Sequence, residues 1–229
     1  MKPPIIRGKI AFFTGAGLSA ESGLTTFRGE GGLWNGVDVH TLASLQGWNA
    51  NPAQVLDFYN QRRMQALAAH PNSAHQIIAD LQAHREVVVI TQNIDDLHER
   101  AGSEQVIHLH GDILHARSAK SAQRIYPVGP EGIRLGDLCE YGFQRRPNVV
   151  WFGEEINHLE LAKKHVMEAE VVVAIGTSLA VQPAASLLKH ARFHARKLLI
   201  TLDLAGKVPH GFKWLRARAS QVQTLLRSL

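Results

Sequence analysis

With 229 residues, 45% of them hydrophobic, the chain is long enough to bury a substantial core within one domain that carries insertions. Its net charge of +5 at pH 7 suggests acidic or phosphate-bearing partners and does not require nucleic acid. No segment approaches the roughly 18 continuous apolar residues of a membrane helix, and the amino terminus lacks the apolar core of a signal peptide, so we expect a soluble, cytoplasmic protein without membrane partners.

Six apolar runs predict strands at residues 10–14, 87–91, 105–109, 148–152, 171–176 and 197–202. None of them alternates cleanly between apolar and polar residues, which is typical of strands buried on both faces of a parallel sheet. Helical patterns between the runs cover residues 52–69, 73–84 and 182–194. This alternation predicts an α/β fold with a doubly wound, Rossmann-like parallel sheet.

Two long inserts interrupt the pattern of a single domain over residues 1–229. The first covers about residues 29–72 and is helical, and the second covers about residues 112–147 and is polar and rich in turns. We expect the second insert to be small and to be held by the packing of four apolar side chains, namely Ile125, Tyr126, Leu135 and Leu138.

The first predicted strand leads into Gly15-Ala16-Gly17-Leu-Ser-Ala20, whose Gly-x-Gly-x-x-Ala spacing is typical of a dinucleotide-binding turn. Gly15 and Gly17 allow a tight turn and a close approach of the backbone to a pyrophosphate, and the small Ala20 allows the following helix to pack on the strand. The spacing alone is equally compatible with a strand, a turn and a helix that bind nothing.

Polar residues also follow three of the other apolar runs. These are the segments Thr91-Gln-Asn-Ile-Asp95, His110-Gly111 and Gly176-Thr-Ser178. Ligands of open α/β sheets bind at the carboxyl ends of the strands, so we expect the four strand ends to form one site.

Considered together, these segments resemble the sirtuins, which are NAD-dependent protein-lysine deacylases. The matching segments stand in family order from about residue 8 to about residue 225, and they are Gly15–Gly23, Phe27–Gly29, Thr91–Asp95, Leu97-His98, Ala101-Gly102, His110-Gly111, Val149–Glu154 and Gly176–Ser178. The resemblance implies that the acyl-lysine oxygen attacks C1′ of the nicotinamide ribose, that nicotinamide leaves, and that the acyl group ends on ADP-ribose.

The resemblance also implies roles for individual residues. His110 matches the base that takes a proton from a ribose hydroxyl, and Asn93 matches the residue that orients a ribose hydroxyl or a water. Without the family, His110 would be one of thirteen histidines, and Asp95 or Asp96 would cap a short helix over residues 96–101.

The resemblance implies NAD contacts by a set of residues spread along the chain, namely Gly15, Ala16, Gly17, Ala20, Phe27, Arg28, Gln92, Asn93, Asp95, Gly176, Thr177, Ser178, Thr201 and Ala219. Asp95 is expected to hold the nicotinamide amide, and Phe27 to shield the reactive sugar from water. Thr201 stands where many sirtuins have an asparagine, and the exchange removes an amide donor, so a lower NAD affinity is expected.

Two further segments match the family's substrate contacts. Val150, Trp151, Phe152 and Gly153 lie in the segment that pairs with the substrate peptide as an added strand.

Tyr59 and Arg62, three residues apart on the predicted helix 52–69, share one face and match the pair that binds the carboxylate of succinyl- or malonyl-lysine in one sirtuin class. Without the family, an exposed helix face is the simpler interpretation of these two residues. Arg63 points about 100° away from Arg62 and would serve as a control.

The second insert departs from the family, because sirtuins usually carry four cysteines there that hold a structural zinc ion. This chain has only Cys139, and Ser118 and Ser121 stand roughly where the first two cysteines would be. Cys139 and the nearby His115 cannot complete a four-ligand site, so we expect no zinc and no metal ligands, without loss of catalysis. Cys139 is then a small buried residue.

Other functions remain open at this stage. A protein ADP-ribosyltransferase or an NAD glycohydrolase would use the same NAD site with a different acceptor, and an NAD-sensing module of a larger system is a third alternative. A nucleic-acid binder is least supported, because the basic residues are scattered and only four tryptophans and three tyrosines could stack on bases. We expect a monomer that acts on acyl-lysine proteins or peptides.

Overall fold

The computed structural model describes residues 8–26, 32, 38–121 and 124–229. These residues hold nine strands, which are β1 (Lys9–Thr14), β2 (Glu86–Thr91), β3 (Val106–His108), β4 (Gly111–Ser118), β5 (Ile125–Pro127), β6 (Arg145–Val149), β7 (Val171–Ile175), β8 (Arg196–Ile200) and β9 (Lys213–Leu215). They also hold eight α-helices, which are α1 (Ala16–Ala20), α2 (Val39–Leu42), α3 (Leu45–Ala50), α4 (Pro52–Ala68), α5 (Ser73–Asp80), α6 (Leu97–Arg100), α7 (Leu159–Glu168) and α8 (Gln223–Arg227). Short 3₁₀ helices cover Leu81–Ala83, Ala184–His190 and Ala219–Val222.

Six strands form one sheet in the order β3-β2-β1-β7-β8-β9, and every neighbouring pair in it is parallel. The chain moves outward from β1 to β3 on one side and from β7 to β9 on the other. The winding therefore reverses between β1 and β7, which is the place where open α/β sheets bind their ligands. The predicted doubly wound, Rossmann-like α/β fold is confirmed.

The two faces of this sheet bury separate apolar clusters. Along β1, Ala11 and Phe13 belong to one cluster, and Ile10 and Phe12 belong to the other. Both phenylalanine rings are fully buried, which contributes roughly 2 to 3 kcal/mol each before the cost of ordering the chain. Because both faces are covered, the strands carry no polar face, and this explains the unbroken apolar runs of the sequence.

The predicted strand at residues 148–152 is wrong in its place and bounds. β6 ends at Val149 and pairs antiparallel with β4 in a separate three-stranded sheet with the order β5-β4-β6. Between β4 and β6 the described chain contains β5 and turns but no crossover helix, and a return without a crossover pairs strands antiparallel.

The predicted helix at residues 182–194 is also wrong, because its regular part is the 3₁₀ helix Ala184–His190. The apolar pattern did mark a buried face, since Leu187 and Leu188 are almost fully buried. A 3₁₀ helix has about three residues per turn and an α-helix has about 3.6. Over only two turns, the spacing of apolar residues hardly distinguishes the two helix types.

The packing predicted for the second insert is wrong for three of its four residues. Ile125, Leu135 and Leu138 are 54%, 56% and 50% exposed, and Tyr126 is half-buried. Tyr126 packs against the core cluster, and the residues of the insert that are buried within that cluster are Ile113, Ala116 and Ile133. The fixed part of the insert is instead β4 and β6, whose buried arginines are described below.

Two helices begin at asparagine residues whose side chains cap the first turn. Asn51 caps α4, where its side chain accepts from the Gln54 N–H and Pro52 occupies the first position. Asn72 caps α5 in the same way and accepts from two N–H groups of the first turn. None of the helices in the described parts of the chain is long and apolar enough to cross a membrane.

Candidate active site

The glycine turn after β1 meets the turn after β7 at the point where the sheet reverses. The Gly17 N–H donates to the Gly176 carbonyl oxygen at 2.7 Å. A Cβ on Gly17 would lie 2.8 Å from that oxygen, and a Cβ on Gly176 would lie 2.2 Å from the Leu18 nitrogen. Gly176 also has a φ of +66°, which favours glycine, so the two turns touch only because neither position carries a side chain.

The expected packing role of Ala20 is wrong. Ala20 is exposed, and Leu18, which is fully buried, joins α1 to the apolar core. The spacing argument places the third small residue against the strand, but α1 is only one and a half turns long and turns Leu18 inward instead.

A small cavity opens beside the glycine turn and collects residues from four separate parts of the sequence. Its lining among the described residues is Ala16, Ser19, Leu24, Thr25, Arg62, Ala66, Asn93, Ile94, Asp95 and Ile113. The structure therefore brings Arg62 of α4 to the same cavity as Asn93 and Asp95. Tyr59 is not part of this lining, and Phe27 and Arg28 lie outside the described residues.

Asn93 is buried and its amide nitrogen is fully engaged. That nitrogen donates to the Gly15 carbonyl oxygen at 3.2 Å and to Ser19 Oγ at 2.9 Å. A carbonyl oxygen only accepts, so the amide orientation is fixed, and Asn93 can offer a substrate only its Oδ1 acceptor.

Ser19 is a site residue that the motif reading missed, although it lies within the glycine turn. It accepts from Asn93 and also hydrogen-bonds the Asp95 carboxylate. Burial raises the pKa of Asp95, while Ser19 and the Leu97 N–H, which donates to Asp95 Oδ1 at 3.2 Å, lower it. Asp95 therefore also holds the first residue of α6, which agrees with the simpler interpretation of the sequence, although the N-cap position itself is Asp96 and its side chain makes no capping bond.

His110 lies just beyond β3, and its ring is in the neutral protonation state that a general base needs. Its Nδ1 is 3.1 Å from the Gln92 carbonyl oxygen, and because that oxygen only accepts, Nδ1 carries the proton. Nε2 is then the bare nitrogen. Burial lowers the pKa of His110 and the bond to Gln92 raises it less, so the imidazole is neutral at physiological pH and can accept a proton.

His108 is a second histidine of this region that sequence reasoning missed. Its Nδ1 lies 3.1 Å from the Asn93 carbonyl oxygen and its Nε2 lies 2.7 Å from Glu99 Oε1. Burial lowers the pKa of His108, but the hydrogen bond to Glu99 and the negative charge of Glu99 together outweigh burial, so the pKa of His108 is raised overall. The His-x-His spacing of His108 and His110 at the end of a predicted strand could have indicated this second histidine.

The expected NAD-binding residues after β7 and β8 make hydrogen bonds within the protein. Thr177 Oγ1 accepts from Gln92 Nε2 at 3.0 Å, which links the turns after β2 and β7. Thr201 donates its hydroxyl to the Asp203 carbonyl oxygen at 2.9 Å. Ala219 is buried in the apolar cluster, so its side chain is part of the core.

Tyr59 and Arg62 do not lie on an exposed helix face, so that simpler interpretation is wrong. Their relative exposures are 2% and 8%. Arg62 donates to Gln65 Oε1 at 2.9 Å and to the Thr25 carbonyl oxygen at 3.2 Å. Burial lowers the pKa of Arg62 and the charge of Asp95 raises it.

Arg63 cannot serve as the expected control, because it is more deeply buried than Arg62. Its exposure is 0%, and it donates to the Ile113 carbonyl oxygen at 2.8 Å and to Asn60 Oδ1 at 2.6 Å. The helical angle of 100° separates the two arginines, but α4 is covered on both sides by β4 and the cavity, so neither direction reaches solvent.

The segment after β6 is held by its own backbone donors. The N–H groups of Val150 and Phe152 donate to the carbonyl oxygens of His110 and Ala43, both at 2.9 Å. Gly153 is exposed and has a φ of +90°. An added peptide strand would therefore pair with the remaining carbonyls of this segment and the Gly153 N–H.

Glu154 anchors that segment to the small sheet. Its carboxylate accepts from Arg117 at 2.8 Å, from Arg146 and from the Trp151 N–H at 2.9 Å. The Arg146 guanidinium lies 3.9 Å from the centre of the Trp151 ring, and the indole N–H donates to the Tyr59 hydroxyl at 3.1 Å. This buried network replaces the apolar packing that the sequence predicted for the insert.

Within the described residues, no group of three histidine, cysteine, aspartate or glutamate side chains is arranged to hold a metal ion. Cys139 is 5% exposed, and its Sγ lies 3.6 Å from Ser118 Oγ.

The glycine turn, the polar strand ends and the reversal of the sheet define a dinucleotide-binding α/β protein. The model of the Sir2 family matches residues 15–183 of this chain, so the chain belongs to the Sir2 family. Two relatives from Helicobacter pylori, both named NAD-dependent protein deacylase, are 50% and 48% identical to it. The alignments cover 80% and 88% of this chain and 77% and 86% of the relatives.

Solved structures of the family superpose over nearly the whole chain. A Sir2 homologue in complex with ADP-ribose is 37% identical, has a TM-score of 0.86, and is matched over 96% of this chain and 90% of that one. A Sir2 homologue in complex with NAD, also 37% identical, has a TM-score of 0.81 over 96% of this chain and 88% of that one. A Sir2 complex with deacetylated p53 peptide and 3′-O-acetyl-ADP-ribose is 28% identical, with a TM-score of 0.79 over 96% and 92% of the two chains.

Proposed function

We propose that this chain is an NAD-dependent protein-lysine deacylase that transfers the acyl group to ADP-ribose. The observation that carries the proposal is the neutral His110, whose free Nε2 lies at the same sheet edge as the amide oxygen of Asn93. The names of the relatives from Helicobacter pylori support the same activity.

The described residues fit NAD. The two glycine turns present bare backbone, and Gln92, Thr177 and Ser178 add polar side chains at the same edge. When bound, NAD supplies the electrophilic ribose carbon and the ribose hydroxyls that receive the acyl group.

The chain's own residues then bind the leaving group, orient a ribose hydroxyl and remove its proton. Asn93 Oδ1 accepts a hydrogen bond from a ribose hydroxyl or a water and so fixes its direction. His110 Nε2 takes the hydroxyl proton, and the Gln92 carbonyl holds the resulting imidazolium at Nδ1. The Asp95 side chain holds the carboxamide that leaves. The charge of Asp95 also raises the pKa of Arg62, which lines the same cavity.

We further propose that the enzyme accepts acidic acyl groups such as succinyl and malonyl, through Arg62 and Tyr59. Arg62 is buried at the cavity wall and donates to two neutral oxygens. An acyl carboxylate would replace these with charge-assisted bonds, each worth roughly 1.5 to 3 kcal/mol. The Tyr59 oxygen accepts from Trp151, so its own proton is not used in that bond, but Tyr59 lies outside the lining of the cavity and the proposal depends first on Arg62.

The substrates of such an enzyme are acyl-lysine proteins or peptides, and the chain is proposed to act as a monomer without zinc. The zinc-free fold has an alternative source of order in the buried pairing of Arg117 and Arg146 with Glu154.

Mass spectrometry of the products tests both proposals. The protein is incubated with NAD and matched acetyl-, succinyl- and malonyl-lysine peptides, and compared with the variants His110→Ala and Arg62→Met. Gln61→Met is the matched control, because Gln61 precedes Arg62 on the same helix and is exposed. We expect His110→Ala to lose all deacylation, and Arg62→Met to lose about tenfold or more in succinyl over acetyl selectivity, the worth of one charge-assisted bond.

Nicotinamide release without any deacylated peptide would overturn the deacylase assignment in favour of an NAD glycohydrolase, and ADP-ribosylated protein would favour a transferase. Unchanged succinyl selectivity in Arg62→Met would overturn only the acyl assignment.

A further inference from the structure

The loop between β2 and α6 carries Asn93 and Asp95, so its position decides where both side chains lie. The Asn93 N–H donates to Thr91 Oγ1 at 3.0 Å, and the Ile94 carbonyl oxygen accepts from the Ile113 N–H at 2.8 Å. These bonds hold the loop from its beginning and from β4. His108 also contacts the backbone of this loop, at the carbonyl oxygen of Asn93.

His108 and His110 stand two residues apart and each grips one carbonyl of this loop. The Nδ1 of His110 contacts Gln92, and the Nδ1 of His108 contacts Asn93, both at 3.1 Å. The difference lies at the other ring nitrogen. No described residue hydrogen-bonds Nε2 of His110, whereas His108 Nε2 lies 2.7 Å from the Glu99 carboxylate.

The hydrogen-bond chemistry fixes the protonation of His108. A backbone carbonyl and an ionised carboxylate only accept, so a ring that contacts one with each nitrogen must carry a proton on both. The ring is then a cation. Glu99 is the counter-ion, and its pKa is lowered, because the bond to His108 and its charge outweigh the effect of burial.

We propose that His108 is a positively charged positioning residue for the NAD reaction, and that together with Glu99 it clamps the loop that carries Asn93 and Asp95. One end of the ring holds the backbone of Asn93, and the other holds α6, which begins two residues after Asp95. The inference rests on the proposed function, because it assigns the clamp to that reaction.

The charge of the clamp acts on the same loop. Besides Glu99, the titratable or charged groups that face His108 among the described residues are Asp95 in the loop, His98 on α6 and Asp112 at the start of β4. Burial raises the pKa of Asp95, and the charge of His108 is one of the effects that lower it. The two histidines thus take opposite roles at one strand end, since His110 is a neutral base and His108 is a cation.

Nuclear magnetic resonance of the ¹⁵N-labelled histidine rings tests the charge directly. Ring nitrogen shifts are followed from pH 5 to pH 10 in the wild-type protein and in Glu99→Gln. We expect both nitrogens of His108 to be protonated at pH 7, and its titration to lie above that of an ordinary histidine at about 6.5. Glu99→Gln keeps an acceptor but removes the charge, and should lower the titration point by about one unit or more.

Kinetics against pH test the positioning role. In His108→Gln and Glu99→Gln we expect kcat/KM for NAD to fall by about tenfold or more, since small displacements of reacting groups have effects of this size. The wild-type profile should descend at alkaline pH at the point where His108 titrates, and that descent should move to lower pH in Glu99→Gln. His115→Gln is the matched control, because His115 also pairs with a carboxylate, Asp112, but does not contact the loop.

A purely structural pair would lower thermal stability without moving the alkaline descent. His108 singly protonated at pH 7, or an alkaline descent unmoved in Glu99→Gln, would overturn the proposal. If the wild-type protein removes no acyl group, the proposed function has failed. The ring titration and NAD binding by the same variants then decide this inference separately, and unchanged NAD affinity in both variants would overturn it.

Discussion

His75 and His98 form a buried pair whose protonation should weaken the fold. Their ring centroids are 4.8 Å apart in an edge-to-face arrangement, and their exposures are 0% and 1%. The Asn72 N–H donates to His75 Nδ1 at 3.3 Å, so the proton of the neutral ring is on Nε2. Thr14 donates its hydroxyl proton to Thr91 and therefore accepts from His98 Nε2, at 3.1 Å.

Each ring has one nitrogen without a hydrogen-bond partner among the described residues, which is Nε2 in His75 and Nδ1 in His98. Protonation of either ring would place a charge in the core with no counter-ion in contact. Burial and the neighbouring Arg100 accordingly lower the pKa of His75 from 6.5 to about 4. The pKa of His98 is lowered as well, by burial and by His75.

The sign of the effect follows from proton binding. Between pH 6.5 and about 4, the unfolded chain binds a proton at His75 and the folded chain does not, so the free energy of unfolding falls as the pH falls. For a pKa of 6.5 unfolded and about 4 folded, the loss between pH 7 and pH 5 is about 2 kcal/mol from His75 alone.

Urea unfolding at pH 7, 6 and 5 measures this loss when the wild-type protein is compared with His75→Asn. Asparagine can still accept from the Asn72 N–H but does not titrate. At pH 7 the variant is expected to be less stable, and the difference between the two proteins should shrink by about 2 kcal/mol at pH 5. Taking this difference cancels the other groups that titrate in the same range.

His84→Asn is the control for the substitution itself, because His84 is exposed just after the 3₁₀ helix that follows α5. A stability difference between wild type and His75→Asn that stays constant from pH 7 to pH 5 would refute the reasoning, since it would mean that His75 is charged or solvated in the folded protein.

Three further predictions concern other parts of the chain. Gly176→Ala should abolish NAD binding or folding, because its Cβ would lie 2.2 Å from the Leu18 nitrogen. Gly23→Ala is the control, since Gly23 also has a positive φ but has open space around it, and it should lower the stability by only about 1 to 2 kcal/mol. Equal losses of stability in the two variants, measured by calorimetry, would contradict the steric argument. Glu154→Gln should lower the free energy of urea unfolding by about 3 to 5 kcal/mol, because it leaves two buried arginines without their carboxylate, and the exposed Glu155→Gln should change it little. Prolonged treatment with a zinc chelator should leave the melting temperature and deacylation rate unchanged, and the loss of either would show that a metal contributes to the fold.

The strands and the glycine turn were readable from the sequence because their causes are local. A strand covered on both faces must be apolar throughout, as Val87–Ile90 is, and a turn that touches another backbone must lack Cβ, as Gly17 does. The order of the polar strand ends along the chain, together with the sheet type, was enough to place His110 and Asn93 at one edge.

Other features depended on which parts of the chain meet. The pattern around Arg62 and Arg63 is compatible with an exposed helix face, and both became buried only because β4 and the cavity cover α4. In the same way, nothing local distinguished residues 148–152 from a strand of the parallel sheet. The lack of a crossover helix before β6 decided its partner and its direction.

The sequence by itself thus determined the α/β fold and the glycine turn, because apolar runs and missing side chains act within a few residues, and the family resemblance of its motifs identified the candidate base. Only the tertiary structure decided the charge states of the site. His108 and His110 have the same local setting, and the carboxylate of Glu99 at one ring and its absence at the other make the first a cation and the second a neutral base. Protonation depends on acceptors and burial within a few ångströms, and distant segments of the chain supply both.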